Sequence, residues 1–231
     1  MAELSTFLSI PNVSADAPNI RKNADALVAM LERRGLSARL LMPKTGGPPA
    51  VFARLAAAGA KRTVAVYAHY DGQPVDPKEW ASPPFSPTLR DRPLEEEGSR
   101  ALALDGKEPL SAEARLYARG ASDDKGSIVA ILAGLDALRA SGRAPSVNVK
   151  LLFEGEEEAG SPHLGALLAE NAPLLAADLW LLCDGPVHQS RRMQVVFGAR
   201  GVTDVEITVY GPLKALHSGH YGNWAPNPAL E

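Results

Sequence analysis

Between Pro18 and Gly35 the apolar residues Ile20, Ala24, Leu27, Met30 and Leu31 recur at helical spacing, which predicts a helix that Gly35 ends. Residues 36–42 and Ala50–Leu55 read as strands, separated by turn material from Pro43 to Pro49. Residues 63–68 form a nearly continuous apolar run, the pattern of a strand buried on both faces. From Val75 to Ala114 the chain is rich in Pro and Gly, with Trp80, Phe85 and the acids Glu95, Glu96 and Glu97. That composition predicts a long surface excursion with a hairpin near Asp105 and Gly106. The core resumes at Leu116, and Ile128, Val129, Ile131, Leu132, Leu135 and Leu138 predict a helix running to about Gly142. Residues 147–153 and 178–183 are further strands, with a helix over Leu164–Glu170 between them. Strands alternating with helices predict an α/β fold: a mostly parallel sheet flanked by helices.

The pattern changes after Gly198. Val205, Ile207 and Val209 alternate with polar residues, which predicts a half-buried antiparallel strand over residues 201–210. A domain boundary is therefore placed near Arg200, dividing the chain into residues 1–199 and 200–231. Asn227 and Pro228 carry the cap and first-turn signature of a helix start.

The chain has 231 residues, 45% hydrophobic and 22% charged, enough to bury one large core or two small ones. A net charge of −3 without a basic block points away from nucleic acid and from anionic membrane surfaces. No apolar run is long enough to span a bilayer. Cys183 is the only cysteine, so no intrachain disulfide is expected, and a reducing, cytoplasmic setting is.

Candidate chemistry gathers where strands end. His69, the run Glu156, Glu157, Glu158, and Asp184 each stand just past a predicted strand, and Asp123 and Asp124 precede a predicted helix. In an open sheet of parallel strands, this is the edge where ligands bind. Each residue also has a local explanation. Ser122, Asp123 or Asp124 would cap a helix, the glutamates would form a solvated helix start, and Asp184 with Gly185 would make a turn. His163 and His188 read as surface residues without partners, and Cys183 as strand filling. An imidazole and several carboxylates on one edge also suit a pair of divalent ions, which activate water and polarise a carbonyl. A carboxylate outside that donor set would serve as general base.

The stretches His69-Tyr70-Asp71, Tyr117-Ala118-Arg119-Gly120-Ala121-Ser122-Asp123-Asp124-Lys125-Gly126, Glu154-Gly155-Glu156-Glu157-Glu158-Ala159-Gly160-Ser161 and Asp184 resemble the dinuclear zinc exopeptidases. That family includes carnosinase-like dipeptidases, glutamate carboxypeptidase, aminoacylase and succinyl-diaminopimelate desuccinylase. The resemblance runs from about residue 10 to the end of the chain. Pro74, Trp80, Ser82-Pro83-Pro84-Phe85 and Leu216-His217-Ser218-Gly219 are most similar to the dipeptidase branch.

The resemblance implies roles residue by residue. His69, Asp123, Glu158 and Asp184 would be metal ligands, with Asp123 bridging two ions and Asp124 following it across a cis peptide bond. Glu157 would be the general base, Asp71 would orient His69, and His217 would stabilise the oxyanion in the partner subunit's site. Two Zn²⁺ are the expected cofactors, with Mn²⁺ or Co²⁺ as substitutes, and residues 200–231 would begin a small α+β lid that forms a homodimer. The implied reaction is hydrolysis of the amide bond of a dipeptide or short peptide. The rivals are an N-acyl amino acid amidohydrolase and a catalytically silent metal-binding or dimerising relative. The family's second metal takes a further His from a more C-terminal part of the catalytic domain, and no residue of this chain matches it. The intact protein is therefore expected to be longer, with this chain its N-terminal half, and the chain on its own is expected to lack activity. The insertion at residues 90–113, longer than the family pattern, reads as a solvated loop.

Overall fold

Up to Leu182, each long apolar run folds as the element its period predicts. The structure is a computed structural model describing residues 1–107, 109–185 and 187–230. In chain order the elements are α1 (Ala2–Leu8), α2 (Ala17–Glu32), β1 (Ser37–Leu41), β2 (Ala50–Leu55), β3 (Thr63–His69), β4 (Thr88–Arg90), β5 (Ala101–Leu102), β6 (Arg115–Tyr117), α3 (Lys125–Ala140), β7 (Asn148–Glu154), α4 (Leu164–Glu170), α5 (Ala172–Leu175), β8 (Leu179–Leu182) and α6 (Ser218–Tyr221). The chain divides into two compact units, Met1–Pro186 and Val187–Glu231. No described helix is long and apolar enough to cross a membrane.

The first unit is built on a five-stranded sheet of order β1-β2-β7-β3-β8. β3 runs parallel to both β7 and β8, whereas β1, β2 and β7 pair antiparallel. The sheet expected to be mostly parallel is thus mixed. β1 and β2 are joined by too few residues for a crossover, so the second strand must return antiparallel. Strand side chains alternate between faces, and both faces are covered. Val51, Ala53, Val66, Ala68, Leu151 and Phe153 pack with Leu27 and Leu31 of α2 and Ile128 and Leu132 of α3. The alternate residues Ala50, Phe52, Leu152 and Tyr67 pack with Leu167 of α4 and Leu175 of α5. Burial on both sides is why these strands read as continuous apolar runs.

A smaller antiparallel sheet, β5-β4-β6, forms within the Pro- and Gly-rich excursion. The hairpin expected near Asp105 and Gly106 lies earlier: β4 pairs with β5 through a loop over residues 91–100. Arg90 closes that loop, its Nε donating to Ser99 Oγ at 2.8 Å and its Nη2 to the Ser99 carbonyl at 2.6 Å. The insertion at residues 90–113 is therefore partly ordered by pairing and not wholly a solvated loop.

The sequence pattern did not reveal α1, whose two turns are too short to display a period; it buries Phe7 and Leu8. Glu3 pairs with Arg33 and Arg34, and the end of the helix is held by Lys125, the first residue of α3. This side chain is fully buried, and its Nζ donates to the carbonyls of Phe7 and Ile10, both at 2.8 Å. The ammonium also lies 4.5 Å from the centre of the Phe7 ring. Burial alone pulls Lys125 down to about 7, against an ordinary value of 10.5. Lys125→Ala removes both bonds and leaves a cavity, and is expected to cost about 3 kcal/mol. Lys125→Met, which keeps the volume and loses only the contacts of the ammonium, should cost about half of that. Urea unfolding midpoints at unchanged m-value check both, and equal costs for the two variants would contradict this account.

The second unit holds only the short helix α6, and no strand among its described residues. The strand expected over residues 201–210 is not formed: Val205 is 77% and Ile207 80% exposed. A strand needs a neighbour to take its backbone hydrogen bonds, and no described part of this unit supplies one. Asn227 makes an Asx turn in place of the expected helix start, its Oδ1 accepting from Ala229 N at 3.1 Å. His217 caps α6, its Nδ1 accepting from Gly219 N at 3.1 Å, and its ring lies 4.8 Å from that of His220. His188 bonds Ser190 Oγ at 2.7 Å and is exposed.

Candidate metal centre

The three parallel strands β7, β3 and β8 end at one edge of the sheet, because parallel strands share a direction. His69 is the last residue of β3, Glu157 and Glu158 lie in the 3-10 turn Glu157–Ala159 after β7, and Asp184 lies two residues past β8. Asp123 and Asp124 arrive at the same edge just before α3, and the peptide bond between them is cis. Gly126 permits this approach, since a Cβ there would collide with the Ala121 carbonyl oxygen.

The His69 ring is 1% exposed and Asp71 is fully buried. His69 Nε2 faces outward, 2.9 Å from Asp123 Oδ1, 3.8 Å from Asp184 Oδ2 and 3.9 Å from Glu157 Oε2. His69, Glu157 and Asp184 offer ligand atoms that all lie within 4.8 Å of one another. Among the described residues the ion pairs of Asp123, Glu157 and Asp184 are all to this one ring. Burial opposes charge on the imidazole, but the hydrogen bond and charge of Asp71, with Asp124 and Asp184, outweigh it and push His69 up to about 10. Positive charge is therefore favoured at this ring, whose Nε2 faces Asp123, Glu157 and Asp184. Imidazole nitrogen with carboxylate oxygens is the donor set of Zn²⁺ and similar ions, so the residues fit a divalent metal.

Asp71 organises the floor of the site. Its Oδ1 faces His69 Nδ1 at 3.3 Å and accepts from Glu157 N at 3.1 Å. Its Oδ2 accepts from Glu158 N at 3.1 Å and from Ser14 Oγ at 2.8 Å. A ring nitrogen held by a carboxylate in this way fixes the tautomer that presents the other nitrogen to a metal. Asp124 is buried beneath, its Oδ2 accepting from His69 N at 3.2 Å, and burial pushes it up to about 7.

The structure thus brings together His69, Asp71, Asp123, Glu157 and Asp184. Glu158 turns elsewhere: its Oε2 accepts from Gln73 Nε2 at 2.8 Å. His217 belongs to the second unit. Three positions escaped the sequence reading: Ser14, Gln73 and the partner of His163. Contrary to the surface reading of His163, its Nδ1 lies 2.9 Å from Glu156 Oε2, and its backbone N–H donates to Glu156 Oε1 at 2.8 Å. No local signal marks Ser14. Gln73 was visible only as part of the turn that follows His69.

Residues 65–218 match the sequence profile of Peptidase family M20/M25/M40. The Cys-Gly metallodipeptidase of Schizosaccharomyces pombe is 30% identical over 100% of this chain and 47% of its own length. The Beta-Ala-His dipeptidase of Homo sapiens is 30% identical over 80% of this chain and 32% of its own. The crystal structure of an M20 family metallo-carboxypeptidase from Sulfolobus solfataricus superposes with a TM-score of 0.65 at 36% identity, covering 82% of this chain and 38% of that one. The chain spans less than half the length of each of these relatives.

Proposed function

This chain belongs to peptidase family M20/M25/M40, and from that premise we propose that it carries the water-activating part of a metal-dependent hydrolase that cleaves the amide bond of dipeptides or short peptides. The observation that carries the reading is His69 Nε2, buried at its base and facing three carboxylates. His69 and Asp184 would hold one divalent ion, Asp123 would bridge to a second, and Glu158 would hold that second ion. Two Zn²⁺ suit these donors best, with Mn²⁺ or Co²⁺ as substitutes. Bound there, the metal supplies Lewis acidity toward the scissile carbonyl and lowers the pKa of a water.

The remaining work falls to the chain's own groups. Glu157 would accept a proton from the attacking water and hand it to the leaving amine. Asp71 keeps His69 Nδ1 occupied, so that Nε2 stays aimed at the site. His217, from the partner in a homodimer, would donate to the oxyanion. The dipeptidase names of the relatives support dipeptides as substrates, and the lone Cys183 supports a cytoplasmic setting.

Elemental analysis after zinc loading and desalting tests the reading. At least one zinc per chain should be retained, and His69→Ala should release it. A chain shown by circular dichroism to be folded, yet holding no zinc, would overturn the proposal.

A further inference from the structure

We propose that Ser14 is a positioning residue for this site: its hydroxyl holds Asp71 in the one orientation that steadies both the His69 ring and the turn bearing Glu157 and Glu158. The inference deepens the metallohydrolase reading and rests on it.

The segment between α1 and α2 runs alongside the loop that follows β3. Val13 and Gly72 form a parallel bridge, Ser14 N donates to the Gly72 carbonyl at 3.2 Å, and Asn12 Nδ2 donates to the Tyr70 carbonyl at 3.0 Å. These bonds set the backbone register and deliver the Ser14 side chain to Asp71. Ser14 Oγ lies 2.8 Å from Asp71 Oδ2 and 3.3 Å from the Gly72 carbonyl. A hydroxyl has a single proton to donate, and the shorter, charge-assisted contact takes it.

Asp71 thus accepts two donors on each oxygen. The bond from Ser14 is the shortest of the four contacts and the one to His69 Nδ1 the longest. A carboxylate torsion is broad and roughly two-fold, so the group turns readily unless both oxygens are held. Without the hydroxyl, Oδ2 keeps only Glu158 N, and any turn of the group lengthens the already long contact to His69. Ser14 reaches no proposed ligand directly, so its influence on the metal passes through Asp71.

The test compares Ser14→Ala and Ser14→Thr in this chain by two readouts. The first is zinc affinity by competition with a chromophoric chelator, alongside thermal unfolding of zinc-free protein. The second is the backbone amide NMR signals of Glu157 and Glu158 in zinc-free protein. Ser14→Ala should weaken zinc binding about tenfold, the lower end of the range for loss of an outer hydrogen-bond partner. It should also shift both amide signals, and Ser14→Thr should restore affinity and signals together. A loss of thermal stability with unchanged zinc affinity would show a merely structural role and overturn the proposal. If the wild-type chain binds no zinc, the metallohydrolase reading fails and the amide signals decide alone. A shift in the alanine variant that threonine reverses then sustains Ser14 as the anchor of Asp71, and unmoved signals overturn it.

Discussion

Asp71→Asn, which changes neither length nor volume, is expected to destabilise the zinc-free chain by about 2–4 kcal/mol and to weaken zinc binding by about 10–100-fold. Four donors converge on the Asp71 carboxylate: His69 Nδ1, Ser14 Oγ, and the backbone N–H groups of Glu157 and Glu158. An amide offers one oxygen, and its nitrogen turns two hydrogens toward groups that are themselves donors. The Ser14 hydroxyl can rotate to accept instead, but a backbone N–H cannot. At least one of them is left unpaired in a site where Asp71 is fully buried. Removing a negative charge from an acid-rich edge works in the other direction. Asp123, Glu157 and Asp184 are between 35% and 58% exposed, so water screens their repulsion and its relief is worth about 0–1 kcal/mol. The lost hydrogen bonds therefore win. Urea unfolding of zinc-free protein and chelator competition measure the two effects, and wild-type values in both would show that Asp71 is a spectator.

The same four bonds show which parts of the molecule were legible in the sequence. β3 and β7 announce themselves because both faces are buried, and the chemistry-bearing residues follow because β3, β7 and β8, being parallel, end on one edge. Asp71 itself is conspicuous two residues after His69. Its grip on the turn after β7 is not, since the donors there are backbone N–H groups 86 and 87 residues away that leave no mark on side-chain identity. Ser14 is one serine among many until the bridge between Val13 and Gly72 brings it to Asp71. Period analysis also fails where an element is short, as in α1, or where alternation lacks a partner sheet, as over residues 201–210. Adjacent glutamates raise a third kind of difficulty. Composition cannot say which of Glu156, Glu157 and Glu158 faces the site. The backbone does: Glu156 turns to His163, Glu157 toward His69, and Glu158 to Gln73.

That division makes Glu157→Gln the most discriminating substitution. In the zinc-loaded, full-length protein it is expected to lower turnover by about 10²–10⁴-fold, the usual worth of a general base, while zinc content stays at the wild-type value. The proposed role suits the placement of Glu157: its backbone N–H donates to Asp71, and its Oε2 lies 3.9 Å from His69 Nε2. Burial raises its carboxyl above the ordinary value, His69 pulls the other way, and the charges of Asp184 and Glu158 add to the rise. A raised carboxylate holds a proton long enough to pass it on, which a strongly acidic one does not. The competing assignment is that Glu157 is itself a ligand, since its oxygen lies among the atoms of His69 and Asp184 that could grip an ion. As a ligand, its replacement by glutamine would lose zinc and activity in step. Glu158→Gln supplies the converse: if Glu158 holds the second ion, zinc per chain falls and activity with it. Retained zinc with lost turnover in the first variant, beside lost zinc in the second, separates base from ligand. Loss of zinc from Glu157→Gln, or turnover near the original rate, would sink the role assigned to Glu157.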